Sequence, residues 1–172
     1  SDGEKLYTLE EEYIVTSDVL LKAVWKKKTD ISEFKEQAFL SEGETIYTGD
    51  EIKKSVQIIG LEEGEDFTVE YNGDMVNAGT VRVMITGIGM YTGTLELTYQ
   101  INPKSLQILQ DDMKLTETKF YHDGTEKKPE VMIGKLQEGI DYTVEYQSNV
   151  EVGTATAIIT GIGNYCGEVE LN

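Results

Sequence analysis

One segment of the chain occurs twice. Gly79-Thr80-Val81-Arg82-Val83-Met84-Ile85-Thr86-Gly87-Ile88-Gly89-Met90-Tyr91-Thr92-Gly93 returns 74 residues later as Gly153-Thr154-Ala155-Thr156-Ala157-Ile158-Ile159-Thr160-Gly161-Ile162-Gly163-Asn164-Tyr165-Cys166-Gly167. A repeat of fixed period constrains architecture more than any single motif, because each copy must form the same unit and bury its own apolar face. A duplicated unit made of turn and strand residues is also the pattern of a module in an array, and that weighs against a single catalytic centre.

The duplication extends upstream. Leu61-Glu62-Glu63-Gly64-Glu65-Asp66-Phe67-Thr68-Val69-Glu70-Tyr71 matches Leu136-Gln137-Glu138-Gly139-Ile140-Asp141-Tyr142-Thr143-Val144-Glu145-Tyr146, with an offset of 75. Ile46-Tyr47-Thr48-Gly49 pairs with Phe120-Tyr121-His122-Asp123-Gly124. The change of offset is expected in turns: Lys135 reads as an extra residue of the second copy, and Asn72-Gly73-Asp74-Met75 as the turn in which the first copy regains register. Turns accept such slips, whereas a one-residue slip in a strand would invert its faces.

Each copy reads as β. Phe67, Val69 and Tyr71 alternate with Thr68 and Glu70, and Val81, Val83 and Ile85 alternate with Arg82, Met84 and Thr86. Ala155, Ala157 and Ile159 take the inward phase in the second copy. Gly87-Ile88-Gly89 is expected to turn the chain into a run carrying Leu95 and Leu97. Helical periodicity is confined to a short candidate, Ile31 to Phe39. About seven short strands in roughly 70 residues fit a small sandwich of two sheets. The recurring Tyr47, Tyr71, Tyr91, Tyr121, Tyr146 and Tyr165 are expected in core or corner packing, with a phenol reaching a backbone group. A sugar-stacking platform is the alternative.

Composition excludes several partners. Against 32 acidic side chains stand 15 basic ones, a net charge of −17. Nucleic acid and anionic lipid both call for a basic patch, so neither is expected. No segment is long and apolar enough for a membrane helix, and membrane insertion is not expected. Cys166 is the only cysteine and His122 the only histidine. Cys166 stands where the first copy has Thr92, so the unit does not require a thiol there, and no nucleophile–base–orienter set assembles. Gly161, Gly163 and Gly167 resemble a dinucleotide loop only superficially, because a strand-like Glu168-Val169-Glu170-Leu171 follows instead of a helix. Glu62, Glu63, Glu65 and Asp66, and separately Asp111 and Asp112, are candidate acidic clusters for structural calcium. They lack the alternating aspartate spacing that wraps the ion, and solvated loop charge is the plainer reading. No other cofactor is implied.

The pattern Tyr-Thr-Gly, then Glu-Gly-x-Asp-Tyr-Thr-Val-x-Tyr, then Gly-Thr-Ala-Thr-x-x-Ile-Thr-Gly-x-Gly-Asn-Tyr-x-Gly resembles bacterial immunoglobulin-like modules of cell-surface proteins. Asp141 to Tyr146 and Gly153 to Tyr165 carry the resemblance best. In the first copy Met90 replaces the usual Asn, and Val81-Arg82 replaces Ala-Thr. Near the start, Tyr13-Ile14-Val15-Thr16-Ser17-Asp18-Val19-Leu20-Leu21-Lys22-Ala23-Val24-Trp25-Lys26 resembles the closing segment of the Listeria–Bacteroides repeat. The resemblance implies an all-β chain: two tandem small Ig-like β-sandwiches in an extended arrangement, with a short N-terminal β segment. It also implies an extracellular place on a bacterial cell surface.

The expected organisation is residues 1–30 as an N-terminal β remnant and linker, 31–102 as the first module and 103–172 as the second. Lys26-Lys27-Lys28-Thr29-Asp30 reads as a polar linker, and Trp25 is expected to pack on the first sandwich or to be poorly ordered. Asn102-Pro103-Lys104 is so short a connection that a stiff joint is expected. The second copy stops where the first has Thr98, so its final strand is expected to be short and the parent chain to continue. The function expected is a non-enzymatic stalk or spacer pair, a monomer. The alternative is an adhesion module binding a host protein or carbohydrate. For that alternative the sites at which the copies differ are the candidate ligand-contact loops: Met75 and Asn77 against Asn149, and Met90 against Asn164.

Overall fold

The computed structural model describes residues 26–172. The β segment expected over Tyr13 to Lys26 lies almost wholly outside the described residues. The described chain is all-β, with two short 3₁₀ segments. No helix among the described residues is long and apolar enough to cross a membrane.

The first unit is built from seven strands: β1 (Thr29–Asp30), β2 (Ala38–Leu40), β3 (Val56–Ile58), β4 (Phe67–Asn72), β5 (Gly79–Gly87), β6 (Tyr91–Thr92) and β7 (Thr94–Ile101). A 3₁₀ segment, Ile31–Gln37, lies between β1 and β2. β4, β5 and β7 form an antiparallel sheet, β2 pairs with β3, and β1 runs parallel to β6. Val81, Val83 and Ile85 of β5 are fully buried, as the period-two reading requires. They share one core with Val56 and Ile58 of β3, Phe67 of β4 and Leu95, Tyr99 and Ile101 of β7. The three-stranded and two-stranded sheets therefore meet through that core, and Ile31 of the 3₁₀ segment closes it.

The second unit uses the same element order: β8 (Lys104–Ser105), a 3₁₀ segment Leu106–Asp112, β9 (Met113–Leu115), β10 (Val131–Ile133), β11 (Tyr142–Gln147), β12 (Thr156–Gly161), β13 (Tyr165–Cys166) and β14 (Glu168–Leu171). Its core is separate, with Leu106, Val131, Ile133, Tyr142, Ala157, Ile159 and Val169 at the centre. Leu106 holds the place of Ile31.

Four readings of the sequence are corrected. Lys135 is not an insertion: Leu61 N–H donates to the Ile58 carbonyl at 3.1 Å and Leu136 N–H to that of Ile133 at 2.9 Å, so the two turns have equal length. The change of offset from 75 to 74 falls between β4 and β5 and between β11 and β12, where the second copy is one residue shorter; there Ser148 takes a positive φ of 55°. Thr29 and Asp30 are not linker but strand, in parallel register with Tyr91 and Thr92. The segment Leu106–Asp112 is 3₁₀ although nothing in its periodicity announced a helix; its signal is the cap, Ser105 Oγ accepting from Gln107 N–H as Asp30 Oδ1 accepts from Ser32 N–H. Ala155, read as an inward strand residue, lies before β12 begins and is half-buried.

The glycines of the repeated turn have distinct jobs. Gly89 and Gly163 adopt φ of 60° and 61°, the left-handed region. At Gly161 the constraint is contact: a Cβ there would lie 2.6 Å from Cys166 N and 2.9 Å from Cys166 Cα. Gly87 meets Thr92 N at 2.8 Å in the same way. Only a residue without a side chain lets the returning backbone pass so close. Gly161→Ala is expected to destabilise the second unit by about 2 kcal/mol, the scale of an overpacked core, and Gly87→Ala the first by a similar amount. Thermal unfolding by circular dichroism checks this; a change under about 0.5 kcal/mol, the scale of an ordinary surface substitution, would contradict it.

Candidate functional site

A polar cluster outside the cores lies where the two units meet. Asn102 still belongs to the first unit: its N–H donates to the Thr45 carbonyl at 2.6 Å, and its carbonyl accepts from Tyr47 N–H at 2.8 Å. Lys104 and Ser105 already belong to the second, paired with Tyr165 and Cys166. Pro103 alone separates the two ladders. With φ fixed and no N–H to satisfy, proline suits a one-residue joint. The Cys166 thiol faces the Pro103 carbonyl at 3.6 Å.

Side chains then cross the joint. Asn164 sits at the tip of the Gly161–Gly163 turn, and its own carbonyl accepts from Lys104 N–H at 2.9 Å. Its Oδ1 accepts from Ala78 N–H of the first unit at 2.7 Å, and its Nδ2 donates to Asn77 Oδ1 at 2.7 Å. Asn77 is held for this by Asp74: Asp74 Oδ2 accepts from Asn77 Nδ2 at 2.6 Å, and Oδ1 accepts from the Val76 and Asn77 N–H groups at 2.8 and 3.0 Å. Because the Asn77 amide gives its NH₂ to the carboxylate, its oxygen faces Asn164. These bonds, that of the Asn77 backbone foremost, hold the Asp74 carboxyl below its usual range. Beside the amides, Tyr165 meets Tyr47 edge to face, with centroids 5.7 Å apart and planes at 77°.

The five positions singled out as loop differences therefore separate. Asn77 and Asn164 face each other across the joint. Met75 is half-buried against the first core, and its carbonyl accepts from Ile52 N–H at 2.8 Å. Asn149 occupies the corresponding place in the second unit, where its carbonyl accepts from Lys127 N–H at 2.9 Å and its Nδ2 donates to the Lys127 carbonyl at 3.1 Å. Met90 is exposed, its carbonyl taken by Thr29 N–H at 3.1 Å. Met75 and Met90 are thus tied to different parts of the fold rather than to one patch.

Two of the six recurring tyrosines brace backbone. Tyr71 donates to the Lys54 carbonyl at 2.6 Å, and Tyr146 to that of Pro129. Tyr99 reaches the Ile52 carbonyl at 2.6 Å and Tyr142 that of Val131 at 2.7 Å, two contacts not anticipated from sequence. Tyr91 packs edge-on against Phe34, and Tyr121 projects into solvent. Asp66 Oδ2 accepts from Glu62 N–H at 3.0 Å, and Asp141 Oδ2 from Gln137 N–H at 2.9 Å, so one acid of the Glu62–Asp66 cluster locks a repeated turn. Among the described residues no three ligating side chains converge. Lys54 is buried, its ammonium donating to the Ser41 and Gly43 carbonyls at 3.1 and 2.7 Å.

Compared with family models, with curated proteins and with solved structures, the chain gives no match to any of the three.

Two outcomes are expected from this geometry. In a double-mutant cycle on thermal stability, Asn77→Ala and Asn164→Ala are expected to couple by about 1 kcal/mol, the net worth of an intramolecular hydrogen bond; strict additivity would contradict the contact. The coupling should fade in acid. Asp74 has a depressed folded pKa, so its contribution is complete above the unfolded value of about 3.9 and is lost as pH falls through the folded value. The tyrosines give the opposite sign. Burial pushes Tyr71, Tyr99, Tyr142, Tyr146 and Tyr165 upward. Their contribution is complete below the unfolded value of about 10 and is lost as pH rises through the folded values. Tyrosine absorbance in the native chain is expected to titrate above that of the denatured chain; coincident curves would contradict it.

Proposed function

We propose that the chain is a pair of immunoglobulin-like spacer modules from a bacterial cell-surface protein, non-enzymatic and monomeric, holding other parts of its parent away from the cell. The observation that carries this reading is the joint. Two separately cored units are connected by one residue and tied by two side-chain hydrogen bonds of Asn164 and an aromatic pair. A spacer must transmit position, and that requires a joint resisting bending. A flexible tether would instead place a Gly/Ser-rich stretch between the units.

The rest of the surface supports the same reading. The thiol of Cys166 faces a carbonyl, and His122 lies 3.9 Å from the exposed Glu151 carboxylate, so the two reactive side chains serve different neighbourhoods. The net charge of −17 suits a self-repelling, soluble exterior. The motif residues from Asp141 to Tyr146 and from Gly153 to Tyr165 support the bacterial surface assignment through their resemblance to such modules.

Small-angle X-ray scattering on the chain and on an Asn164→Ala/Tyr165→Ala variant tests the proposal. The unaltered chain is expected to fit one arrangement of its units. The variant, still folded by circular dichroism, is expected to need a spread of arrangements. Equal spread in both would remove the basis for a spacer.

A further inference from the structure

The two units treat one tyrosine differently. Tyr71 of β4 and Tyr146 of β11 hold equivalent places, and each phenol donates to the carbonyl 17 residues before it, of Lys54 and of Pro129. In the first unit the ring is covered from within: the Lys53 ammonium sits over Tyr71, 4.6 Å from the ring centroid. The face of an aromatic ring is its negative side, so an ammonium is the natural occupant of that seat. Lys128 stands at the place of Lys53, but its ammonium is drawn to the Glu126 carboxylate, 2.5 Å away. Beside the Tyr146 ring a cleft of about 480 Å³ opens instead.

The charge around the cleft differs in the matching sense. Its lining carries four carboxylates, Glu126, Glu130, Glu138 and Glu145, against the single ammonium of Lys128, itself taken by Glu126. The corresponding positions of the first unit hold three carboxylates, Glu51, Glu63 and Glu70, against two ammonium groups, Lys53 and Lys54. Glu130 stands for Ser55 and Pro129 for Lys54. Burial first, then the charges of Glu138, Tyr142 and Glu130, push the Tyr146 phenol upward, so these acids bear on the ring itself. A bare metal ion does not fit the place, since among the described residues no three ligating side chains converge. Pro129 and Val144 add apolar wall. An ammonium on an aliphatic stem matches every part: the ring and the carboxylates take the charge, and the wall takes the methylenes.

We infer that the cleft beside Tyr146 is a binding site for a lysine side chain of another polypeptide, whose ammonium takes over the Tyr146 ring the seat that Lys53 fills over Tyr71. Glu138 and Glu145 offset its charge, and its stem lies along Val144 and Pro129. The first unit closes the equivalent site with its own lysine, so only the second receives a partner. The inference goes beyond the spacer reading and does not rest on it, because a stalk and an adhesive chain would carry such a site equally.

Nuclear magnetic resonance of the tyrosine rings in the full chain, at low ionic strength, tests it with two probes. Nα-acetyl-lysine amide carries the ammonium, and Nα,Nε-diacetyl-lysine amide keeps the stem without the charge. The first probe is expected to shift the Tyr146 ring saturably and to move Tyr71 by about fivefold less, the ratio that an exposed cation–π contact is worth. The diacetylated probe is expected to move neither. Glu138→Gln/Glu145→Gln, a surface change that leaves the Tyr146 phenol bond in place, is expected to weaken binding by about fivefold, the scale of an exposed ion pair. Lys53→Met is expected to make Tyr71 respond as well. Equal response to the two probes overturns the inference, since the stem alone would then be bound. Equal shifts of Tyr71 and Tyr146 in the unaltered chain overturn it too, because the acidic exterior would then be attracting cations without a site. So does a Tyr146 ring that shows no saturable shift, or a Tyr71 ring that stays silent once Lys53 is replaced.

Discussion

The contact between Gly161 and the backbone of Tyr165 and Cys166 is the constraint on which the second unit and its attachment depend. A chain leaving β12 must turn, run two residues beside β8 and return as β14 within ten residues of Gly161. That path is open only if the strand ends on a residue with no side chain. The same close passage puts β13 in parallel register with β8, which fixes the start of the unit against its own interior. It also projects Asn164 from the tip of the turn toward the preceding unit. One local steric requirement thus sets the fold's closure and the geometry of the joint.

The joint itself is economical in residues because the elements around it were already in place. Asn102 closes the first unit by backbone pairing with Thr45 and Tyr47, and the strand beginning at Lys104 opens the second. No loop is left in which entropy could accumulate. The polar contacts are then ordered in a line, Asp74 orienting Asn77 and Asn77 meeting Asn164, each group using a partner that matches its donor or acceptor character. The side chain of Met90, which holds the place of Asn164 in the first unit, has no amide to donate or accept. The two copies share a framework and differ at this attachment.

Much of this was legible in the sequence, and the misses have physical causes. Period-two runs placed Val81, Val83, Ile85, Ala157 and Ile159 inward, and burial follows them. The Gly-x-Gly spacing marked the turn. Parallel pairs of two residues, such as Thr29–Asp30 with Tyr91–Thr92, leave no periodicity, so Thr29 and Asp30 read as linker. The 3₁₀ segment Ile31–Gln37 falls within the short helical candidate Ile31 to Phe39, whereas Leu106–Asp112 carries no helical pattern and only the cap at Ser105 signals it. The Asn77–Asn164 contact spans 87 residues, and its trace in the sequence is that both residues lie where the copies differ. Those differences mark the site but do not distinguish a contact within the chain from a contact with a ligand.

Residual dipolar couplings of the backbone amides, recorded for both units in one alignment medium, test the central claim most directly. If the one-residue joint and the Asn164 clamp hold the units as a single body, one alignment tensor fits residues 29–101 and 104–171 together. Two tensors of clearly different magnitude would mean that the units reorient independently, and the account of the joint would fail.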